Sequence, residues 1–164
     1  LFPYTTLFRS CGRLGEGDRR RVFADLLPAL AEAAAAEGTM LLLEPVSGPE
    51  ASFPAGLTEA AALIRSVGGS GLGLAADCYH LRREERGLVA SLRAARDCLC
   101  YVHVCGEGRG VPDRHDAALM AGLAALSGGR PGLFLSIQAC TTGEADARLP
   151  LAAGALAEAV AGMV

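Results

Sequence analysis

Four short apolar runs alternate with helical segments along this chain of 164 residues, and this alternation limits the possible folds more than any other feature. The runs cover residues 39–43, 72–76, 99–104 and 133–139. Strands that are apolar on both faces and separated by helices are typical of a parallel sheet covered by helices. The pattern therefore predicts an α/β fold, either an open sheet or about half of a (β/α)8 barrel, which typically needs about 250 residues.

Segments with helical spacing separate and flank these runs. Pro28 interrupts the first segment, which predicts a kink or two helical pieces. Thr58 is placed to cap the second segment, and His115 is placed to cap the fourth. Gly87 lies inside the third segment, which we still predict as one helix. The predicted helices cover residues 18–37, 57–67, 83–95, 114–126 and 149–164.

The first ten residues, LFPYTTLFRS, resemble the translation of a sequencing-adapter read-through. We therefore exclude residues 1–10 from the fold prediction, as one excludes an expression scar. Residues 11–164 supply four strand–helix units, which is half of the number in a (β/α)8 barrel. We expect them to form the C-terminal half of such a barrel and the natural protein to continue upstream.

The charged residues exclude several functional classes. All 15 basic residues are arginine, so lysine Schiff-base chemistry is excluded within this segment. The net charge of -3 argues against a nucleic-acid partner, because the phosphate backbone favours clustered positive charge. No apolar run approaches the roughly 20 residues that a membrane span requires, and no signal-peptide pattern is recognisable. We therefore expect no membrane association and a cytoplasmic location.

The six cysteines allow two interpretations. Cys98, Cys100 and Cys105 lie close together in sequence, as thiolate ligands of a metal would. No CxxC pair accompanies them, however, and they lie in or beside an apolar run, where free cysteine commonly behaves as a small buried hydrophobe. We favour reduced cysteines of the core.

One polar residue stands at or near the C-terminal end of each apolar run: Glu44, Asp77, His103 and Gln138. In parallel βα folds the active site is built at that end of the strands. A glutamate, an aspartate and a histidine brought together there suit a divalent cation. For any single residue the alternative role is to cap the following helix, but four strand ends in succession favour a common site.

The strand ends and the residues around them resemble the xylose-isomerase-like barrels, specifically the sugar phosphate isomerase/epimerase group with its ketose 3-epimerases and hydroxypyruvate isomerases. Four motifs and one acidic residue carry the resemblance: Glu44-Pro45, Glu50, Asp77-Cys78-Tyr79-His80, Tyr101-Val102-His103-Val104, and Arg109 followed by Gly110-Val111-Pro112. The intervals between the strand-end residues each fit one βα unit. The resemblance covers residues 37–139.

This resemblance implies a site and a reaction. The implied ligands of a divalent cation (Mn, Mg, Co or Zn) are Glu44, Asp77, His103 and Gln138. The implied contacts to the substrate, a small sugar, sugar phosphate or related hydroxy-carbonyl compound, are Glu50, His80 and Arg109. The implied chemistry is isomerisation or epimerisation by removal of a proton from the carbon next to a carbonyl, with Glu44 as the general base.

Gln138 departs from the family, which has a glutamate at this position as metal ligand and proton-transfer group. An amide oxygen can coordinate a cation, but it brings no negative charge and cannot accept a proton as a carboxylate does. A non-catalytic sugar- or metal-binding descendant and an inosose-dehydratase-like lyase therefore stay open as alternatives. An endonuclease-type phosphodiesterase does not fit three histidines and a net charge of -3. We expect the chain alone to be inactive. Its oligomeric state stays open, and a homo-oligomeric parent is one option.

Overall fold

The four predicted strands form a single parallel sheet. The computed structural model describes residues 15–47, 53–129, 131–141 and 145–161. Its strands are Leu41–Leu43 (β1), Leu72–Asp77 (β2), Leu99–Val104 (β3) and Phe134–Ile137 (β4). They lie in the order β1-β2-β3-β4, and each neighbouring pair is parallel. This arrangement of consecutive βα units confirms the predicted α/β fold.

The helices follow the predicted segments, and the helix predicted at 57–67 has the predicted bounds, but the other starts differ. They are Glu16–Ala36 (α1), Leu57–Val67 (α2), Cys78–Leu81 (α3), Gly87–Ala95 (α4), Ala117–Ala124 (α5) and Ala145–Ala161 (α6). Pro28 does not divide α1, because the residue is exposed and the backbone carbonyl it leaves unpaired can bond to water. Among the described helices, none has the length and hydropathy needed to cross a membrane.

Local hydrogen bonding explains the helix starts that the sequence misplaced. The α4 helix begins at Gly87, whose φ of 72° is left-handed, and not at residue 83. Asp116 caps α5 by accepting a hydrogen bond from the Leu119 N–H at 3.0 Å, so the predicted cap at His115 is wrong.

The predicted cap at Thr58 is also wrong. The α2 helix begins at Leu57, as predicted, so Thr58 lies inside its first turn, and the N-terminal end of the helix is held from another part of the chain. The Leu57 N–H donates to Oε1 of Glu84 at 2.9 Å, and Oε2 of Glu84 accepts from the Ser91 hydroxyl at 2.6 Å. One carboxylate therefore connects the start of α2 with α4.

The core lies between the sheet and the helices. One face of the sheet packs on them, and its residues Leu74, Ala76, Val102 and Val104 are fully buried. From the helices, buried leucines and alanines complete the same cluster: Leu57, Ala60, Leu88, Leu92, Leu119, Leu123 and Leu156. Because strand side chains alternate between faces, the opposite side carries Gly73, Ala75, Asp77, Tyr101 and His103. A register shift between β2 and β3 next to Leu74 keeps Leu99 in the core.

That opposite face carries the polar strand ends. The register pairs Asp77 with His103 and His103 with Ser136, so these three residues are neighbours across β2, β3 and β4. Further down the face, a Cβ atom on Gly73 would lie 2.4 Å from the Cys100 sulfur, so only glycine fits there. The face is therefore crowded at its centre and polar at its carboxyl edge.

We expect the chain to self-associate through this opposite face and the sheet edges. Phe134 of β4 is 56% exposed, and within the described residues β1 and β4 each have a single strand neighbour. Unpaired strand edges next to an apolar face favour association with other chains. Analytical ultracentrifugation should find oligomers of the purified chain, and Phe134→Ser should shift them toward monomer, whereas a monomer with Phe134 intact would contradict this expectation.

Candidate functional site

Asp77 is the centre of the contacts at the carboxyl edge. It ends β2, and its side chain is 2% exposed. Its Oδ1 accepts a hydrogen bond from the Tyr79 N–H at 2.8 Å, which caps the short helix α3, and its Oδ2 accepts from Nη2 of Arg109 at 2.8 Å. The capping role and the role in a polar site are therefore both observed for this residue.

The loop after β3 brings Arg109 to Asp77. Residues Glu107–Arg109 form a 3₁₀ turn in which Gly108 and Arg109 have φ values of 62° and 64°. A left-handed conformation is unusual for a residue with a side chain and is found where surrounding contacts enforce it. One such contact is visible, because the Arg109 carbonyl accepts a hydrogen bond from the Cys140 N–H at 2.7 Å. The guanidinium carbon also lies 4.4 Å from the centre of the Tyr79 ring.

His80 lies beside this ion pair with a defined tautomer. The Ser47 N–H donates to Nδ1 at 3.0 Å, and the Ser47 hydroxyl oxygen lies 2.9 Å from the same nitrogen. Since Nδ1 accepts, Nε2 carries the proton of a neutral ring. Burial lowers the pKa of His80, although the nearby Asp77 acts in the opposite direction. Nε2 faces the pair, 4.0 Å from Asp77 Oδ2 and 3.4 Å from Arg109 Nη2.

His103 is held on the neighbouring strand. Its Nδ1 lies 3.1 Å from the Ser136 hydroxyl oxygen, and its ring tilts against that of Tyr101 with 4.8 Å between ring centres. These two contacts set the orientation of the imidazole and leave Nε2 as the nitrogen for a ligand.

The other predicted site residues fall at different places. Glu44 directly follows β1 and, by strand alternation, belongs to the same face as Asp77. Gln138 follows β4 on the same face as Ser136; its N–H donates to the Val104 carbonyl, and its side chain is exposed. Glu50 lies outside the described residues.

The metal site predicted from these residues stays a prediction. In the described ranges, no three histidine, cysteine, aspartate or glutamate side chains are grouped closely enough to hold a metal ion. Oδ2 of Asp77 is paired with Arg109 in this structure. The residue types do fit a divalent cation, since Glu44 and Asp77 supply carboxylates and His103 an imidazole.

The described cysteines are free thiols, as the sequence favoured. Cys78 and Cys105 are buried beside Asp77, with the Cys105 sulfur 4.0 Å from Oδ1. Burial raises the pKa of Cys78 to about 12 and that of Cys105 to about 11, so both stay protonated near neutral pH. A thiolate metal site at Cys98, Cys100 and Cys105 has no support among the described residues.

Sequence reasoning missed three residues that shape the site. Ser47 fixes the His80 ring, Ser136 fixes the His103 ring, and Tyr79 stacks against Arg109. Ser136 and Tyr79 carried a signal, because they lie two positions from Gln138 and Asp77, where strand and turn geometry brings side chains together. Ser47 carried no signal beyond its place after Glu44-Pro45.

Several solved structures of sugar epimerases resemble this chain. The TM-score to 3-keto-D-glucoside 4-epimerase from E. coli is 0.69, at 24% identity over 90% of this chain and 56% of that protein. For D-psicose 3-epimerase the TM-score is 0.69, at 18% identity over 92% and 57% of the two chains. For L-ribulose 3-epimerase it is 0.67, at 24% identity over 93% and 52%. These likenesses establish the fold, and this chain spans just over half the length of the three proteins.

A comparison with curated proteins gives no match. The family model of the xylose isomerase-like TIM barrel, in contrast, matches residues 8–125. The matched span contains β1, β2 and β3 with Asp77, His80, His103 and the Arg109 loop, whereas Gln138 lies beyond it. Four parallel strands in sequential order, helices on one face and polar residues at the carboxyl edge agree with this match. The chain belongs to the xylose isomerase-like TIM barrel family.

Proposed function

We propose that this chain is the C-terminal half of a (β/α)8 barrel enzyme that isomerises or epimerises a small sugar, sugar phosphate or related hydroxy-carbonyl compound. The observation that carries the proposal is the group formed by Asp77, His80 and Arg109 at the carboxyl edge, beside His103 on the next strand. These residues offer a polyhydroxylated substrate a buried carboxylate, a guanidinium and a neutral histidine. The Nε2 proton of the histidine faces the other two groups. The family membership and the epimerase neighbours support the same class of reaction.

A divalent cation at this edge would be held by Glu44, Asp77 and His103, with the Gln138 amide oxygen as a neutral fourth donor. When bound, such a cation polarises substrate oxygens and stabilises the negative charge that forms when a proton leaves carbon. The cation is Mn, Mg, Co or Zn, which are the divalent ions that suit carboxylate and imidazole donors.

The proton transfer is assigned to Glu44. Its carboxylate accepts the proton from the carbon next to the carbonyl, and isomerisation returns this proton to the adjacent carbon. Epimerisation instead takes a proton from water on the opposite face of the same carbon, because return to the same face restores the substrate. His80 donates its Nε2 proton in a hydrogen bond to a substrate oxygen, and Arg109 orients hydroxyls or a phosphate. Because Gln138 accepts no proton, a single base on one side of the substrate serves the reaction.

Gln138 also favours two other functions for the same site. A dehydratase acting on an inosose needs only one acid–base group, and a sugar-binding descendant needs none. An exchange experiment separates the three. Incubated in D2O with Mn²⁺ and a panel of ketoses, the parent protein that carries the complete barrel should incorporate deuterium at the carbon next to the carbonyl, and EDTA should abolish the exchange.

Loss of water from the substrate instead of exchange would favour the dehydratase. Binding of the sugars with neither exchange nor dehydration would favour the binding protein and contradict the proposal. Exchange that persists after removal of the metal with EDTA would keep the isomerase but contradict the metal site.

A further inference from the structure

Among the described residues, the Arg109 guanidinium is the permanently charged group that pairs with the Asp77 carboxylate. The side chain is 2% exposed, and a buried carboxylate needs compensation because water does not reach it. Oδ1 accepts the Tyr79 N–H that caps α3, which leaves Oδ2 as the oxygen for a cation. In this structure that cation is the Arg109 guanidinium, at 2.8 Å.

Arg109 is held in this position from two sides. Its left-handed backbone is fixed through the hydrogen bond from the Cys140 N–H to its carbonyl, and its guanidinium stacks on the Tyr79 ring. A flexible surface arginine would have neither constraint. The pairing with Asp77 is therefore part of how the loop after β3 is built.

We propose that Arg109 is a built-in competitor of the divalent cation. Its guanidinium holds Oδ2 of Asp77 when no metal is present, and metal binding requires that Arg109 leave this oxygen. The inference rests on the proposed function, because it takes Asp77 as a metal ligand. It gives Arg109 a role beyond contact with substrate: it lowers the affinity of the protein for the metal.

The physical basis is a competition between two positive charges for one buried oxygen. A cation that approaches Asp77 must break a charge-assisted hydrogen bond and also meets the repulsion of the guanidinium. Without Arg109 the carboxylate is left uncompensated and binds a cation more strongly. Coupling energies between sites in proteins correspond to changes in affinity of about 5- to 150-fold.

The test measures Mn²⁺ binding by the parent protein without substrate, using the electron paramagnetic resonance signal of free Mn²⁺. Arg109→Gln should bind Mn²⁺ about tenfold more tightly than the unchanged protein, which lies within the usual range of coupling. Arg83→Gln is the matched control. Arg83 lies on the same Tyr79 ring, with its guanidinium carbon 3.9 Å from the ring centre, but its side chain is exposed and the arginine paired with Asp77 is Arg109. Its replacement should leave Mn²⁺ affinity unchanged.

Tyr79→Leu is a second variant in case Arg109→Gln does not fold. It keeps both charges but removes the ring that holds the guanidinium, so it should tighten Mn²⁺ binding by less than Arg109→Gln. Unchanged affinity in both folded variants, or an equal gain in Arg83→Gln, would overturn the competition and leave the proposed function standing. Absence of Mn²⁺ binding in every form would overturn the competition together with the proposed metal site, whereas the D2O exchange experiment tests the isomerase separately.

Discussion

Glu44→Gln in the parent protein is expected to lower isomerase turnover by about 10²- to 10⁴-fold, the usual contribution of a general acid–base group. The substitution keeps the shape of the side chain that follows β1 but removes its charge and its ability to accept a proton. If Glu44 takes the proton from carbon, the exchange of that proton with D2O should fall by the same factor. The measurement is turnover at saturating Mn²⁺, so that weaker metal binding does not hide the loss of the base.

Glu85→Gln is the matched control for this prediction. Glu85 is exposed in the segment between α3 and α4. Its replacement removes one negative charge, as Glu44→Gln does, but at a position that is not a strand end. Its turnover should equal that of the unchanged protein. If Glu44→Gln keeps most of the turnover at saturating metal, Glu44 is not the general base.

Gln138→Glu is expected to act in the opposite direction. A carboxylate after β4 adds one negative charge to the donor set and a second group able to transfer a proton, opposite Glu44. For a reaction that inverts a stereocentre, the gain in turnover should be about 10²- to 10⁴-fold, and Mn²⁺ should bind more tightly. Ketose epimerisation and Mn²⁺ affinity are measured for both forms.

The native reaction separates the interpretations of Gln138. If the site works with one base, the new carboxylate leaves its native reaction unchanged or impairs it while epimerisation rises. If neither epimerisation nor Mn²⁺ affinity increases, the site is not an epimerase that lacks only its fourth carboxylate. The dehydratase or the binding protein would then be favoured.

The strands were predictable because the apolar residues that mark them in the sequence are the residues that pack in the core. Leu74, Ala76, Val102 and Val104 must be apolar to pack on helices, and this need is visible in the sequence. The helix starts depend on finer choices. Aspartate is a preferred N-cap residue and histidine is not, so the choice of Asp116 over His115 at α5 was available from the residue types, and the Leu119 N–H confirms it.

From the residues alone the site was predictable to the level of strand ends, and the family resemblance added His80 and Arg109, which the structure places beside Asp77. The adjacency of Asp77 and His103 follows from one polar residue per strand in a parallel sheet. The pairing of Asp77 with Arg109 depends on a left-handed residue in a loop and on a hydrogen bond from Cys140 beyond the next strand. No local pattern records such a contact, because its parts are far apart along the chain.

Because the Asp77 carboxylate has two structural roles, its presence in a relative says little about whether that relative is active. One oxygen caps α3 and the other faces the site, so selection for a stable fold preserves the residue even in a lineage that has stopped turning over substrate. An aspartate at this position is therefore poor evidence of activity in a distant relative. Gln138, whose side chain is exposed at the end of β4, is a position where a loss or gain of catalysis can change the residue without loss of packing.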